Sequence, residues 1–238
     1  MGHHHHHHSG MKIAILGAMS EEITPLLETL KDYTKIEHAN NTYYFAKYKD
    51  HELVLAYSKI GKVNSTLSAS VMIEKFGAQV LLFTGVAGAF NPELEIGDLL
   101  YATKLAQYDL DITAFGHPLG FVPGNEIFIK TDEKLNNLAL EVAKELNIKL
   151  RAGIIATGDE FICDEAKKAK IREIFNADAC EMEGASVALV CDALKVPCFI
   201  LRAMSDKAGE KAEFDFDEFV INSAKISANF VLKMCEKL

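Results

Sequence analysis

Residues 12–17, KIAILG, place apolar side chains on consecutive positions, the mark of a strand buried on both faces. The signature returns at 79–85, QVLLFTG, and at 198–205, CFILRAMS. Such strands need a helical layer on each side, and the segments between them supply it. Residues 20–30, SEEITPLLETL, have helical spacing. Ser20 is placed to cap that helix, and Glu21 and Glu22 fall in its first turn, where the dipole favours acids. Residues 132–147 set Leu135, Leu138, Ala139, Val142 and Leu146 on one stripe. Further helices are expected near 62–76 (ending at Gly77), 164–175, 184–195 and 216–237. Strands are expected near 97–108, 150–156 and just before Glu181. TYYFAKY and ELVLAYS, joined by a polar turn at 49–51, read as a hairpin. Residues 109–126, with three glycines and two prolines, read as a long loop. No linker or repeat interrupts the pattern. The expected fold is a single α/β domain with a mixed, twisted central β-sheet flanked by α-helices. Residues 1–10, MGHHHHHHSG, read as an expression tag, leaving 11–238 as that domain.

Composition narrows the function classes. Asp and Glu number 34 against 25 Lys and Arg, so the chain lacks the basic face a nucleic-acid partner needs. No apolar run approaches the roughly 18–20 residues that span a membrane, and a cytoplasmic location is expected. Cys163, Cys180, Cys191, Cys198 and Cys235 form no Cys-x-x-Cys pair and mostly sit among apolar neighbours. They read as reduced, buried thiols rather than a zinc site, a disulfide framework or a nucleophile. Asp109, Asp111 and His117 lack metal-ligand spacing and read as a solvated loop.

Ligands of α/β sheets collect at the carboxyl ends of strands. In this chain those ends carry Glu22, Glu183, Arg202, Ser205 and Asp206, a carboxylate-rich set suited to acid–base work or to holding hydroxyl groups. The turn GVAG at 85–88 has neither a dinucleotide nor a phosphate-loop fingerprint. By itself it is a tight turn, or a place where a ligand lies against bare backbone. A helix N-terminus after a first strand ordinarily suits a phosphate, but Glu21 and Glu22 would repel one. Glu21 reads as a solvated acid. CEMEGAS at 180–186 sets two acids at a strand–helix junction inside an apolar stretch, where a carboxylate needs partners.

GAMSEE, TGVAG, ATGDEFI, CEMEGAS and LRAMSD, with DFDEF at 215–219, together resemble the methylthioadenosine/S-adenosylhomocysteine nucleosidases, members of the nucleoside phosphorylase superfamily. The resemblance runs from Met11 almost to the C-terminus. It implies a nucleoside phosphorylase-like fold and hydrolysis of the N-glycosidic bond of adenine nucleosides, with no cofactor or metal. On matching positions it implies that Glu22 activates the attacking water and Asp206 protonates adenine N7. Glu183 would hold the ribose hydroxyls, with Met182 packed beside the sugar. Phe161 would stack on adenine and the Ile162 backbone would read its edge. Ser205 would place Asp206, Arg202 would lie near the water, and Val86 and Gly88 would line the site. Phe216 would line the 5′-substituent pocket. Phe115 and Pro123 would come from a neighbouring subunit, making the active form a homodimer. Val86 departs from the family, many of whose members have a serine there that helps hold the water. Glu183 is then the sugar grip and Glu181 a brace for the junction.

Such chemistry needs an acid at the departing purine and a base for water, so Glu22 is expected to stay ionised while Asp206 holds a proton. A phosphorylase of the same fold is the nearest alternative, but GAMSEE stands where a Gly-Asp-Pro-x-Arg phosphate turn would be. A nucleoside-binding sensor without turnover is opposed by the joint presence of Glu22, Glu183 and Asp206, and a Rossmann oxidoreductase by the missing glycine fingerprint. Methylthioadenosine, S-adenosylhomocysteine, 5′-deoxyadenosine and 6-amino-6-deoxyfutalosine share adenine and ribose, and the motifs do not rank them. The last would tie the enzyme to menaquinone synthesis as well as methionine salvage and quorum-signal precursors.

Overall fold

The computed structural model describes residues 10–209 and 216–238; most of the expected tag, and Asp215 of the DFDEF motif, lie outside the described residues. In chain order the strands are β1 (Lys12–Gly17), β2 (Thr34–His38), β3 (Asn41–Tyr48), β4 (His51–Tyr57), β5 (Val80–Ala89), β6 (Leu99–Gln107), β7 (Ile129–Lys130), β8 (Leu150–Thr157), β9 (Ala179–Glu181) and β10 (Cys198–Met204). The helices are α1 (Ser20–Leu30), α2 (Lys62–Glu74), α3 (Glu133–Glu145), α4 (Glu165–Phe175), α5 (Gly184–Leu194) and α6 (Phe216–Lys237). The expected α/β architecture with a mixed sheet is the one found.

Alternation along the central strands decides which layer each side chain enters. Ile13, Ile15, Leu53, Leu55 and Leu82 face α1, α3 and α6, while Ala14, Leu16, Val54, Leu81 and Phe83 face α2 and α5. Both faces are therefore buried, which is why these strands read as continuous apolar runs. Each such valine, leucine, isoleucine or phenylalanine contributes roughly 1.5–3 kcal/mol relative to leaving it in water.

The sheet is more closed than the sequence suggests. β5 pairs with β10 in parallel and β10 with β6 antiparallel. β6 pairs with β8 and β8 with β9 in parallel, and β9 returns antiparallel to β5, closing a ring of strands. β1, β4, β3 and β2 extend outward from β5. β1 pairs with β5 only as far as Leu16 and Phe83, and β9 joins the same strand only from Gly88. Between them the backbone of residues 84–87 has no strand partner on that side, and strand divergence of this kind opens a ligand crevice.

Two local expectations change. Ser20 is the first residue of α1 rather than its cap; the cap position belongs to Met19. β2 has no counterpart among the expected strands, because its TKIEH sequence is exposed at the sheet edge and leaves no burial pattern to read.

Candidate active site

The unpaired stretch of β5 is met by side chains from α1 and β10. Glu22, in the first turn of α1, turns back so that Oε1 accepts from the N–H groups of Ala18 (2.9 Å) and Met19 (2.7 Å). Its Oε2 accepts from the Val86 N–H at 3.1 Å. Arg202, on β10, donates to the Val86 carbonyl at 3.0 Å. Gly85 is obligatory here, since a Cβ would stand 2.5 Å from both the Arg202 guanidinium and the Glu22 carboxylate. The glycine turn thus admits protein side chains to the backbone, a role that neither reading of the turn had included. Glu21 is exposed and Glu22 only 3% exposed, as their separate readings required.

Arg202 also resolves the paired acids of CEMEGAS. Glu181 accepts from the Arg202 guanidinium, from the Thr157 hydroxyl (2.5 Å) and from the Gly184 N–H (2.7 Å). Every contact of Glu181 ties the strand–helix junction together. Glu183 accepts from Arg202 at 3.3 Å through one oxygen and from the Gly61 N–H at 3.0 Å through the other. Arg202 itself is buried, lies 4.3 Å over the Phe83 ring and gives its contacts to protein groups. Gly61 and Thr157 carry no sequence signal for this role; only the fold brings them to residues 181–183.

Three carboxylates around one guanidinium leave a negative excess in a buried place. Burial pushes the Glu22 carboxyl up to about 7; Arg202 opposes that and Glu183 adds to it. Burial raises Glu183 as well, again against Arg202. Burial by itself would lower the Arg202 guanidinium, but Glu181, Glu183 and Glu22 outweigh it and hold the charge. The expectation that Glu22 stays ionised is therefore corrected: at neutral pH it is divided between its two forms. A group balanced there suits a general base, which must both take and release a proton near the working pH.

Asp206 follows β10, and its Oδ1 accepts from the Ala89 N–H at 2.8 Å. Its Oδ2 lies over Gly88, 3.5 Å from where a Cβ would stand. Ser205 anchors the same turn, its N–H (2.9 Å) and hydroxyl (3.1 Å) both donating to the Ala87 carbonyl. Glu22 and Asp206 thus attach to β5 through amides three residues apart, roughly 10 Å along an extended strand. Met182 is half-buried between its two glutamates. Burial pushes the neighbouring Cys180 thiol up to about 12, in keeping with an inert cysteine.

The aromatic candidates are arranged differently. Ile162 is buried, but Phe161 beside it is 77% exposed, and Phe115, in a short 3-10 turn at Thr113–Phe115, is 80% exposed. Pro123 is exposed, and Phe216 opens α6 partly exposed. Asp109 and Asp111 bond to Lys62 and to the Thr113 N–H respectively.

The model of the phosphorylase superfamily matches residues 12–236. The chain belongs to that superfamily. It is 99% identical to an aminodeoxyfutalosine nucleosidase of Campylobacter jejuni subsp. jejuni serotype O:2, over 96% of this chain and all of that one. It is 40% identical to a 5′-methylthioadenosine/S-adenosylhomocysteine nucleosidase of Bacillus thuringiensis subsp. konkukian, over 96% of this chain and all of that one. A superfamily member from Helicobacter pylori, a 5′-methylthioadenosine/S-adenosylhomocysteine nucleosidase with butyl-thio-DADMe-Immucillin-A, superposes with a TM-score of 0.92. It is 50% identical, and the match covers 96% of this chain and 99% of that one. The expected family and enzyme class, an N-glycosyl hydrolase of nucleosides, agree with these relatives.

Proposed function

We propose that the enzyme hydrolyses the N-glycosidic bond of 6-amino-6-deoxyfutalosine and of 5′-substituted adenine nucleosides such as methylthioadenosine, S-adenosylhomocysteine and 5′-deoxyadenosine. The observation that carries this reading is the Glu22 carboxylate seated on the amides of Ala18 and Met19. Those amides form the anion site that a phosphorylase would offer to phosphate. With a carboxylate already there, water is the nucleophile. Glu22 takes a proton from the water as its oxygen bonds to C1′. The C1′–N9 pair leaves with the purine, and Asp206 delivers a proton to N7. Glu183, held by Arg202 and Gly61, accepts from the ribose hydroxyls and favours the positive charge that grows on the sugar. Ser205 positions Asp206, while Met182 and the Val86–Gly88 backbone line the sugar and base. Phe161 stacks on the base, the Ile162 backbone reads its edge, and Phe216 borders the 5′ group. Val86 offers the water no hydroxyl, and its backbone N–H, which a serine would equally present, fixes Glu22 directly. Product analysis in phosphate buffer tests the reading. Adenine with free 5-methylthioribose is expected; a sugar 1-phosphate would make the enzyme a phosphorylase.

The active form is a homodimer in this reading. Val63 and Leu67 are exposed one turn apart on α2, with Val63 79% exposed, and Ile60 is exposed just before the helix. Phe115 and Pro123 stand on the long loop ready to reach a neighbour's site. Apolar side chains aligned this way on a soluble domain mark an interaction surface. Light scattering should give about twice the 26.3 kDa of one chain, and Val63→Glu should yield monomers with lower kcat/KM. Monomers retaining full kcat/KM would remove the neighbour from the site. Five cysteines without a disulfide suit a reducing cytoplasm, and among the described residues no helix is long and apolar enough to cross a membrane.

A further inference from the structure

Three chain segments meet beside Glu183 through Lys62, Asp109 and Asp159, residues that the proposed mechanism does not use. The Lys62 ammonium donates to Asp109 at 2.7 Å and to the Gln107 side chain at 3.2 Å. The other oxygen of Asp109 accepts from the Asp159 N–H at 2.8 Å. Asp159 in turn accepts from the Lys62 N–H at 2.7 Å. The ring is closed: Lys62 holds Asp109, Asp109 holds Asp159, and Asp159 holds Lys62. It joins the start of α2 to the chain following β6 and to the chain following β8.

Two neighbours of this ring matter. Gly61, one residue before Lys62, gives its N–H to Glu183 Oε2. Its φ of 109° is one that an L side chain rarely adopts, so that amide direction depends on the residues fixed around it. Phe161 lies two residues beyond Asp159 and has little packing of its own. The ring therefore sets the position of the sugar carboxylate and of the base-stacking loop against each other. Lys62 is only partly exposed, with 18% of its side chain open, so water screens the Lys62–Asp109 pair less than a surface pair.

We infer that Lys62 and Asp109 are positioning residues for this reaction, acting on substrate through the Gly61 amide and Glu183. The inference rests on the proposed role of Glu183 as the sugar grip. It also assigns Asp109 a task that its place in a polar loop conceals.

A double-mutant cycle tests it, with melting temperature and methylthioadenosine hydrolysis measured for wild type, Lys62→Met, Glu183→Gln and the double variant. Methionine keeps much of the lysine stem and removes the charge. Glu183→Gln is expected to lower kcat by at least about a hundredfold, the scale of losing one electrostatic stabiliser. Lys62→Met is expected to lower kcat/KM about tenfold at an almost unchanged melting temperature, and to add less than about threefold on top of Glu183→Gln, because coupled residues are not additive. General loosening of the fold would instead multiply the two losses. Should Lys62→Met fail to fold, Asp109→Asn carries the same cycle, since asparagine still accepts from one partner. A wild-type rate in Glu183→Gln would overturn the sugar-grip reading itself. An impaired Glu183→Gln beside a normal Lys62→Met, or losses that multiply in the double variant, would overturn the positioning role and leave that reading standing.

Discussion

Asp206→Asn is expected to release adenine at least about a hundredfold more slowly than the wild type while melting at nearly the same temperature. The substitution is selective for chemistry. An asparagine side chain keeps an oxygen that can accept from the Ala89 N–H, as Asp206 does, so the turn after β10 retains its tie to β5. It cannot deliver a proton. Adenine departs poorly as an anion and well once N7 is protonated, so the loss falls on the transition state and lowers kcat and kcat/KM together. General acid catalysis is typically worth about 10²–10⁴-fold, or roughly 3–5 kcal/mol. A purely structural Asp206 predicts the reverse: Asp206→Ala, which loses the Ala89 bond, would melt early, while Asp206→Asn would turn over normally. A riboside whose leaving group departs as a stable anion, such as 4-nitrophenolate, gives a second readout. Its hydrolysis should suffer far less from Asp206→Asn than that of methylthioadenosine. A folded Asp206→Asn enzyme within tenfold of wild type on methylthioadenosine would take Asp206 out of the mechanism.

The residues behind that prediction show what a single sequence can carry. Strands buried on both faces announce themselves, and β1, β5 and β10 are legible because nearly every position along them is apolar. The carboxyl ends of those strands are enough to gather Glu22, Asp206 and Arg202 as candidates. Exposed β2 leaves no trace, and neither does the closure of β5, β6, β8, β9 and β10 into a ring, because strand pairing depends on distant partners rather than on local pattern. The same distance hides the partners of each acid. The assignment of Glu183 as grip and Glu181 as brace comes from the family resemblance of CEMEGAS, not from their partners. Thr157, Gly61 and the shared guanidinium come from segments up to 122 residues away. The proton affinity of Glu22 escapes the sequence for a related reason. A first-turn glutamate is ordinarily solvated, and only the packing of β5 against α1 and β10 shows that this one is sealed from water.

That sealed carboxylate yields the second large effect. Glu22→Gln is expected to lower kcat/KM by about 10²–10⁴-fold, because glutamine cannot take a proton from the attacking water. In the wild type kcat/KM should climb as pH rises through about 7 and then level off on that limb, as the free enzyme's Glu22 ionises. Stability should move in the opposite direction. The folded-state value is raised above the ordinary 4.5, so the folded protein binds the proton more tightly than the unfolded chain does. The resulting stability is fully present below pH 4.5 and is lost as pH rises through about 7, a swing of roughly 3 kcal/mol. The glutamine of the variant has nothing to titrate, and its amide stays neutral throughout. It does place an N–H₂ toward the Val86 N–H, so the variant's absolute stability mixes a lost bond with a removed charge. The pH slope separates the two, because the lost bond is independent of pH and the charge is not. Urea unfolding of both proteins at pH 5 and pH 8 provides the measurement. The stability difference should shift toward Glu22→Gln by a few kcal/mol between those pH values, in an enzyme that no longer turns over. Equal shifts with pH in the two proteins would mean that Glu22 ionises as an ordinary surface acid, and a Glu22→Gln enzyme that turns over within tenfold of wild type would leave the base that activates water to be found elsewhere.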